Sequence, residues 1–451
     1  MRREGRGRWV VWAGSAILIV SALSAQAAET VKPRRVLIFP YSTPESSREE
    51  RWLGEGMALI LSLALAQHPA FVQVDRIRLA RFGEPHLWGE PAILAAARGL
   101  KADVALYGKI QRDSGALVVQ PRYVELQSGG GEGKTLEVLT VPEWELLDRL
   151  PVIPLAYLRA FRISLSDDEV ARIRKVARPT PSLSAFEAFV RGELAALKET
   201  QEGNEAAADL FARAVELDPN FAVAQYFLGM VHQALGNRWK AAAQFRAAIQ
   251  LDPTYPEPFK ALGDLFLSAP RRLHDQAVEA YQKALELRSF YAEAYAGLGD
   301  AKAAKADVDG AVAAYQRALF YNPATPKVYL SLGKIYYSEK GLYYEAVKAY
   351  KTAIELDPQF LEAHMGLGEI YEEKGLYQDA IAEYRKVVEV DARHTGALYN
   401  LALVYEKVDP REAIGHWEHY IAVASQLPAE KDWVDVARQH LRKLKSQVEK
   451  P

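Results

Sequence analysis

The stretches VELDPNF (215–221), IQLDPTY (249–255), LFYNPAT (319–325) and IELDPQF (354–360) punctuate the second half of the chain, with weaker copies LELRSFY (285–291) and VEVDARH (388–394). Pro219 and Pro253 are 34 residues apart and Pro323 and Pro358 are 35 apart. Pro253 and Pro323 are 70 apart, two units with two inserted residues. Proline after an acidic or amide residue cannot continue a helix and sets a turn. Each stretch therefore predicts the end of a helix and the entry to the next unit.

Two further markers keep the same phase. A Leu-Gly pair recurs at Leu228-Gly229, Leu262-Gly263, Leu298-Gly299, Leu332-Gly333 and Leu367-Gly368, with Phe266, Tyr336 and Tyr371 three residues on. An alanine–aromatic–alanine triplet recurs as Ala241/Phe245/Ala248, Ala277/Tyr281/Ala284, Ala311/Tyr315/Ala318 and Ala346/Tyr350/Ala353. Two short antiparallel helices cannot bury their apolar stripes alone, so such hairpins stack. Glycine at the crossing is expected to let the partner backbone approach, with the alanines receiving the aromatic knobs. Period and markers together resemble the tetratricopeptide repeat.

The pattern predicts seven hairpins within 182–427, at 188–221, 222–255, 256–291, 292–325, 326–360, 361–394 and 395–427. Small insertions fall at Ala269-Pro270 and near Glu339-Lys340. Trp417 replaces the usual aromatic in the last unit. Ser184 and Glu187 are read as a capping box opening the first helix. A final helix near 430–448, within 428–451, is read as a solvating cap.

Residues 34–165 follow another rule. A strand at 36–39, a helix at 48–67, strands at 71–75 and 103–110, and a helix at 91–99 are expected from apolar periodicity. Longer strands at 116–126 and 135–141 flank a glycine-rich turn, and a helix from Pro142 to Phe161 follows. This mixed order implies a small α/β sandwich, so the chain as a whole is α+β: sandwich, then all-α solenoid. Ser166 and Glu169 cap a connecting helix, and Pro179-Thr-Pro181 ends the linker 166–181. The segments VLIFPYSTPE (36–45), WLGEGMALILSLAL (52–65), AAARGLKADVALYGKIQRDSGALVVQPRYVEL (95–126) and PTPSLSAFEAFVRG (179–192) resemble the TolB N-terminal-like domain of flagellar outer-membrane and cyclase-associated repeat proteins. That resemblance implies an envelope protein working through partners.

The start of the chain is basic at Arg2, Arg3, Arg6 and Arg8, apolar from Val10 to Leu23, and small at Ala25-Gln26-Ala27. This is the order of a Sec-type signal peptide, 1–27, cleaved after Ala27. The alternative is a retained anchor, although the apolar run falls short of the ~20 residues that span a bilayer. The chain has no cysteine, so lipidation at a new N-terminus and cysteine-held metal are chemically excluded. A periplasmic location is expected, with no membrane span after cleavage. Losing four Arg and one Glu moves the net charge from −2 to −5. Such a balance gives no support for nucleic-acid binding.

Chemistry-bearing motifs are sparse. SGGGEGKT (128–135) imitates a phosphate loop, but Ser128 stands where the first glycine belongs and a strand is expected after Lys134. His416 and His419 share a helix face without a third ligand. No nucleophile–base–acid set is legible, and Asp167-Asp168 reads as a helix start. The expectation is a protein without catalysis, cofactor or metal. The tetratricopeptide resemblance implies that first helices line a concave groove. Carried over position by position, that face holds Tyr226, Met230, Lys260, Asp264, Asp300, Lys334, Tyr337, Met365, Glu369, Glu372 and Glu373. Lys260 stands at a clamp-like position, but Asp264 replaces the asparagine of a carboxylate clamp. The expected function is an exported envelope scaffold gripping a segment of a protein partner. The alternative is a regulatory subunit whose α/β domain activates or assembles an envelope enzyme or export complex.

Overall fold

The computed structural model describes residues 33–44, 50–74, 79, 82–83, 88–126, 132–270 and 273–448. The signal segment and the tip of the glycine-rich turn, 127–131, lie outside the described residues. The chain divides into two compact units, Met1–Pro258 and Phe259–Pro451.

In the first unit, β1 (Arg34–Ile38) lies between parallel neighbours β2 (Phe71–Gln73) and β3 (Val104–Asp113). β3 turns back on β4 (Ala116–Glu125) in a ladder of ten pairs, Val104 opposite Glu125 through Asp113 opposite Ala116. The strand expected at 135–141 is instead two pieces on the same edge of β4, namely β5 (Lys134–Thr135) and β6 (Leu139–Pro142). The gap falls beside Pro121, whose carbonyl accepts from Leu136 N at 2.9 Å but which has no N–H to return.

The sheet is covered on both faces. Val36, Ile38, Val104 and Leu106 pack with α1 (Arg51–Leu65). Leu37, Phe39, Ala105 and Tyr107 pack with α2 (Glu90–Gly99). The single helix expected from Pro142 to Phe161 is broken into α3 (Leu146–Arg149) and α4 (Val152–Ala160). Pro151 breaks it, because its ring and missing N–H cannot continue α3, yet it suits the start of α4. Ser166 and Glu169 form the expected reciprocal capping box of α5 (Asp167–Ala177).

Hairpins I and II complete this unit: α6 (Leu183–Ala196) with α7 (Gln201–Leu217), and α8 (Ala222–Ala234) with α9 (Arg238–Leu251). The cap of α6 is Ser182, whose hydroxyl accepts from Ala185 N at 3.2 Å, rather than Ser184. Glu187 pairs with Arg191 one turn on, at 2.8 Å. The sandwich and these hairpins share one apolar core: Phe186 of α6 packs edge-on to Trp52 of α1, with ring centroids 6.2 Å apart, and sits over Gly56. The Pro179–Pro181 segment belongs to that core. Thr180 is 2% exposed and donates to Asp218 at 2.6 Å.

The second unit stacks α10 (Pro256–Leu267) and α11 (His274–Leu287), α12 (Ala292–Ala304) and α13 (Val308–Tyr321), and α14 (Pro326–Ser338) and α15 (Tyr343–Leu356). Then follow α16 (Leu361–Glu373) with α17 (Tyr377–Val390), and α18 (Thr395–Val408) with α19 (Pro410–Ala424). These are hairpins III to VII, and α20 (Lys431–Val448) covers the last of them through Val434, Ala437 and Leu444.

The recurring Asp-Pro marker has a local cause. Asp252 and Asp357 end helices in extended backbone, and their carboxylates accept from the N–H two residues on, at 3.0 and 3.2 Å. That side-chain turn redirects the chain just as proline stops the helix. The glycine marker works differently from expectation. What lies against Gly263, Gly299, Gly333 and Gly368 is the ring of the second helix's aromatic — Tyr281, Tyr315, Tyr350 and Tyr384 — not a partner backbone.

Candidate functional site

Each of those rings must lie flat on a bare Cα, which carries its hydroxyl through to the side lined by first helices. Tyr281 donates to Asp264 Oδ1 at 2.7 Å, and Tyr315 donates to Asp300 Oδ1 at 2.6 Å. Tyr384 donates to Glu372 Oε2 at 3.1 Å. The acids follow from the repeat itself, since Asp264 and Asp300 come directly after the crossing glycine. Three acids expected on the groove face are thus held by buried tyrosines.

In the second unit these groups open into a cleft of about 520 Å³. Lys260, Asp264 and Asp300 line it with Tyr281, Tyr315, Asn322, Lys327 and Ser331. Lys260 Nζ is 2.7 Å from Asp264 Oδ2, one turn along α10, so Asp264 already has a cation. Asp300 does not. Its hydrogen-bond partner is the neutral Tyr315 hydroxyl. Enclosure by the cleft walls raises the Asp300 carboxyl above 3.8, and Asp264 adds to the rise, while Tyr315, Lys260 and Lys327 oppose it. Burial, with the adjoining carboxylates, also holds the Tyr281 and Tyr315 hydroxyls protonated well above the ordinary tyrosine range.

A second group forms on α16. Burial raises Glu369, helped by Glu372 and opposed by Lys334. Burial also raises Glu372, against Tyr384 and Lys407. Glu373 points elsewhere: it is exposed and is lowered by hydrogen bonds from Tyr337 and Tyr343. Tyr337 rests on Tyr343, with centroids 5.7 Å apart, and Met365 is half-buried against the core of the last hairpins. Tyr226 and Met230 belong to the first unit. Tyr226 packs against Phe245 and Tyr255, at 5.8 and 5.5 Å, and Met230 is exposed.

Sequence reasoning missed the tyrosine hydroxyls, which it took only as apolar knobs. The available signal was tyrosine, instead of the Phe245 of hairpin II, wherever Leu-Gly-Asp occurs. His416 of the paired histidines stacks on Tyr405 at 4.1 Å, and no group of metal-holding side chains occurs among the described residues. Lys134–Thr135 of the phosphate-loop look-alike is a strand.

Tetratricopeptide-repeat profiles match residues 193–256 and 261–328, and again 361–394, with a further TPR-repeat match over 337–375. The general transcriptional corepressor trfA of Dictyostelium discoideum is 27% identical over 135 residues, 30% of this chain and 10% of that protein. The probable UDP-N-acetylglucosamine–peptide N-acetylglucosaminyltransferase SPINDLY of Hordeum vulgare is 30% identical over 122 residues, 26% of this chain and 13% of that protein. The chain thus spans little more than a tenth of the length of these curated relatives. Among solved structures, MamA is 29% identical, covering 37% of this chain and 95% of its own, with a TM-score of 0.33. The hairpins that fall within the residues matched by those profiles are tetratricopeptide repeats.

Proposed function

We propose that the protein is an exported, non-catalytic scaffold of the cell envelope, periplasmic once residues 1–27 are removed, which holds a basic and apolar segment of a protein partner against the first helices of its repeats. Tetratricopeptide proteins are often peptide-binding scaffolds or adaptors. In this reading the TolB-like α/β half makes a second contact. The observation that carries the proposal is Asp300, a carboxylate that lines the cleft, accepts from the neutral Tyr315 hydroxyl and has no ion-pair partner among the described residues. A lysine or arginine from a partner supplies the missing charge, and a charge-assisted hydrogen bond is roughly twice as strong as a neutral one. Glu369 and Glu372 offer the same chemistry along α16, beside the apolar surfaces of Tyr337 and Met365. Exposed ion pairs add only ~0–1 kcal/mol each, so the apolar anchors supply most of the affinity and the acids the selectivity.

The test uses a partner captured from the envelope of the source cells and peptides tiled across it, measured by calorimetry. One basic, apolar peptide is expected to bind. Asp264→Lys with Asp300→Lys, or Glu369→Lys with Glu372→Lys, should weaken it mainly at low salt. Tyr337→Ala with Met365→Ala should weaken it at any ionic strength. A partner cation lowers the raised Asp300 value, so affinity should climb as pH rises toward that raised value and level off above it. Equal binding by all variants rules out this face. N-terminal sequencing that begins at Ala28 supports export, and an intact Met1 on a membrane-bound product opposes it.

A further inference from the structure

The first unit carries a second cleft, of about 620 Å³, bounded by α3, α4 and α5. Its charge is opposite to that of the chain. Arg149, Arg159, Arg174, Lys175 and Arg178 line it, against Asp148 alone. Two of the cations are already satisfied: Arg178 lies 2.5 Å from Asp148, and Lys175 lies 2.7 Å from Asp252. No described residue forms a hydrogen bond or ion pair with the guanidinium of Arg149, Arg159 or Arg174, and each of these residues is exposed. Three guanidinium groups from three different helices thus face one concavity without a counter-charge, in a protein of net charge −2. Keeping like charges together is unfavourable, and among the residues lining the cleft the one acid, Asp148, is already paired with Arg178.

The floor between them is apolar. Leu155 is buried and Val152 is 44% exposed, with Pro151 beside them. Nothing about the turn into α4 requires an exposed valine at its first position.

We propose that this cleft docks an acidic segment of a protein partner, two or more carboxylates flanking an apolar side chain. Guanidinium forks match carboxylates bidentately, and the apolar side chain covers Val152 and Leu155. The concavity decides against a flat anionic bilayer, which would meet the rim and leave the floor wet. Asp148, inside the cleft, decides against a compact phosphate dianion. The site is separate from the Asp300 cleft in position and opposite to it in sign, so either can fail without the other.

The probe is a fluorescein-labelled peptide of sequence Glu-Glu-Leu-Glu-Glu, titrated with the full chain at low salt. Saturable binding is expected, at least tenfold weaker for Arg149→Glu with Arg174→Glu and severalfold weaker for Val152→Asp. Replacing the peptide's leucine by serine should weaken binding severalfold to the wild type and hardly at all to Val152→Asp. Arg149→Gln with Arg174→Gln, a milder change at exposed positions, should still lose affinity with an unchanged melting temperature. Equal peptide binding by wild type and charge variants overturns the proposal. So does arginine-dependent binding of phosphatidylglycerol vesicles or inorganic phosphate without binding of the peptide. Indifference to the peptide's leucine overturns segment docking in favour of simple counter-ion attraction.

Discussion

Gly333 has no room for a side chain, because the Tyr350 ring occupies the space its Cβ would take. Gly333→Leu should destabilise by roughly 1–3 kcal/mol through overpacking, read as a lower melting temperature. Tyr350→Leu on that background should recover part of the loss. A Gly333→Leu variant with unchanged melting would mean the ring can move aside at no cost. His364 makes a pH-dependent contribution. Its Nδ1 lies 2.6 Å from Glu383 Oε2, and its Nε2 lies 3.1 Å from the Pro358 carbonyl. The Glu383 hydrogen bond raises His364 above 6.5, against the opposing effects of burial and Lys386. The folded state therefore holds the proton more tightly than the unfolded chain. That stabilisation is complete below 6.5 and fades as pH climbs through the raised value. His364→Gln should cost about 1–3 kcal/mol in mild acid and less near pH ~9, and a gap that stays constant with pH would contradict this. Sequence could place Asp264 and Asp300 at equivalent positions of α10 and α12, since each directly follows the Leu-Gly marker of its repeat. It could not show that Asp300 lacks a cation, which depends on Lys260 being engaged by Asp264 one turn away.

At the scale of elements, the turns inside hairpins I, II, IV, V and VI each place one residue in the left-handed region, Glu199 in hairpin I. Gly236, Gly341 and Gly375 fill it in hairpins II, V and VI. Hairpin IV uses Ala306 at φ 60°. That conformation costs an L-residue ~1–2 kcal/mol, while glycine loses about 0.5–1 kcal/mol of chain entropy instead. Ala306→Gly should therefore stabilise by about 0.5–1 kcal/mol, seen as a raised denaturation midpoint with an unchanged slope. A lower midpoint would show that the unfolded-chain term dominates. Helix positions were legible because Asp-Pro and Leu-Gly mark fixed points in every unit. What was not legible had a common origin in backbone donors. Pro151 split a helix and Pro121 split a strand, and periodicity of side chains reports neither. Ser182 and Ser184 are equivalent by composition, and only the extended backbone at Ser182 selects the cap.

For the molecule as a whole, the sequence marks a boundary at Pro179-Thr-Pro181 that the apolar core of the first unit ignores. Phe186 closes over Trp52 and Gly56, and Thr180 is tied to Asp218. Proline-rich composition reads as a linker, and no local pattern reveals that α1 is buried on two sides. The available hint was Gly54 and Gly56 in one helix, where a side chain would strike the Tyr41 carbonyl or the Phe186 ring. A chain ending at Arg178 exposes that surface and should lose its cooperative thermal transition. A truncated protein that melts as sharply as residues 33–258 would show that the sandwich stands alone. Within the second unit, the tyrosines that position the acids have a mechanical consequence. Tyr281 bears on Gly263 of hairpin III and on Gly297 of hairpin IV, and Tyr350 bears on Gly333 of hairpin V and on Gly366 of hairpin VI. Each ring rivets two neighbouring hairpins, while Tyr315 meets Ser331 rather than a glycine on the side of hairpin V. Under tension the stack should yield between IV and V and then release its hairpins in pairs. An optical trap should record steps of about 70 residues, some 240 Å of extended chain at ~3.5 Å per residue, in place of single-repeat steps half that length.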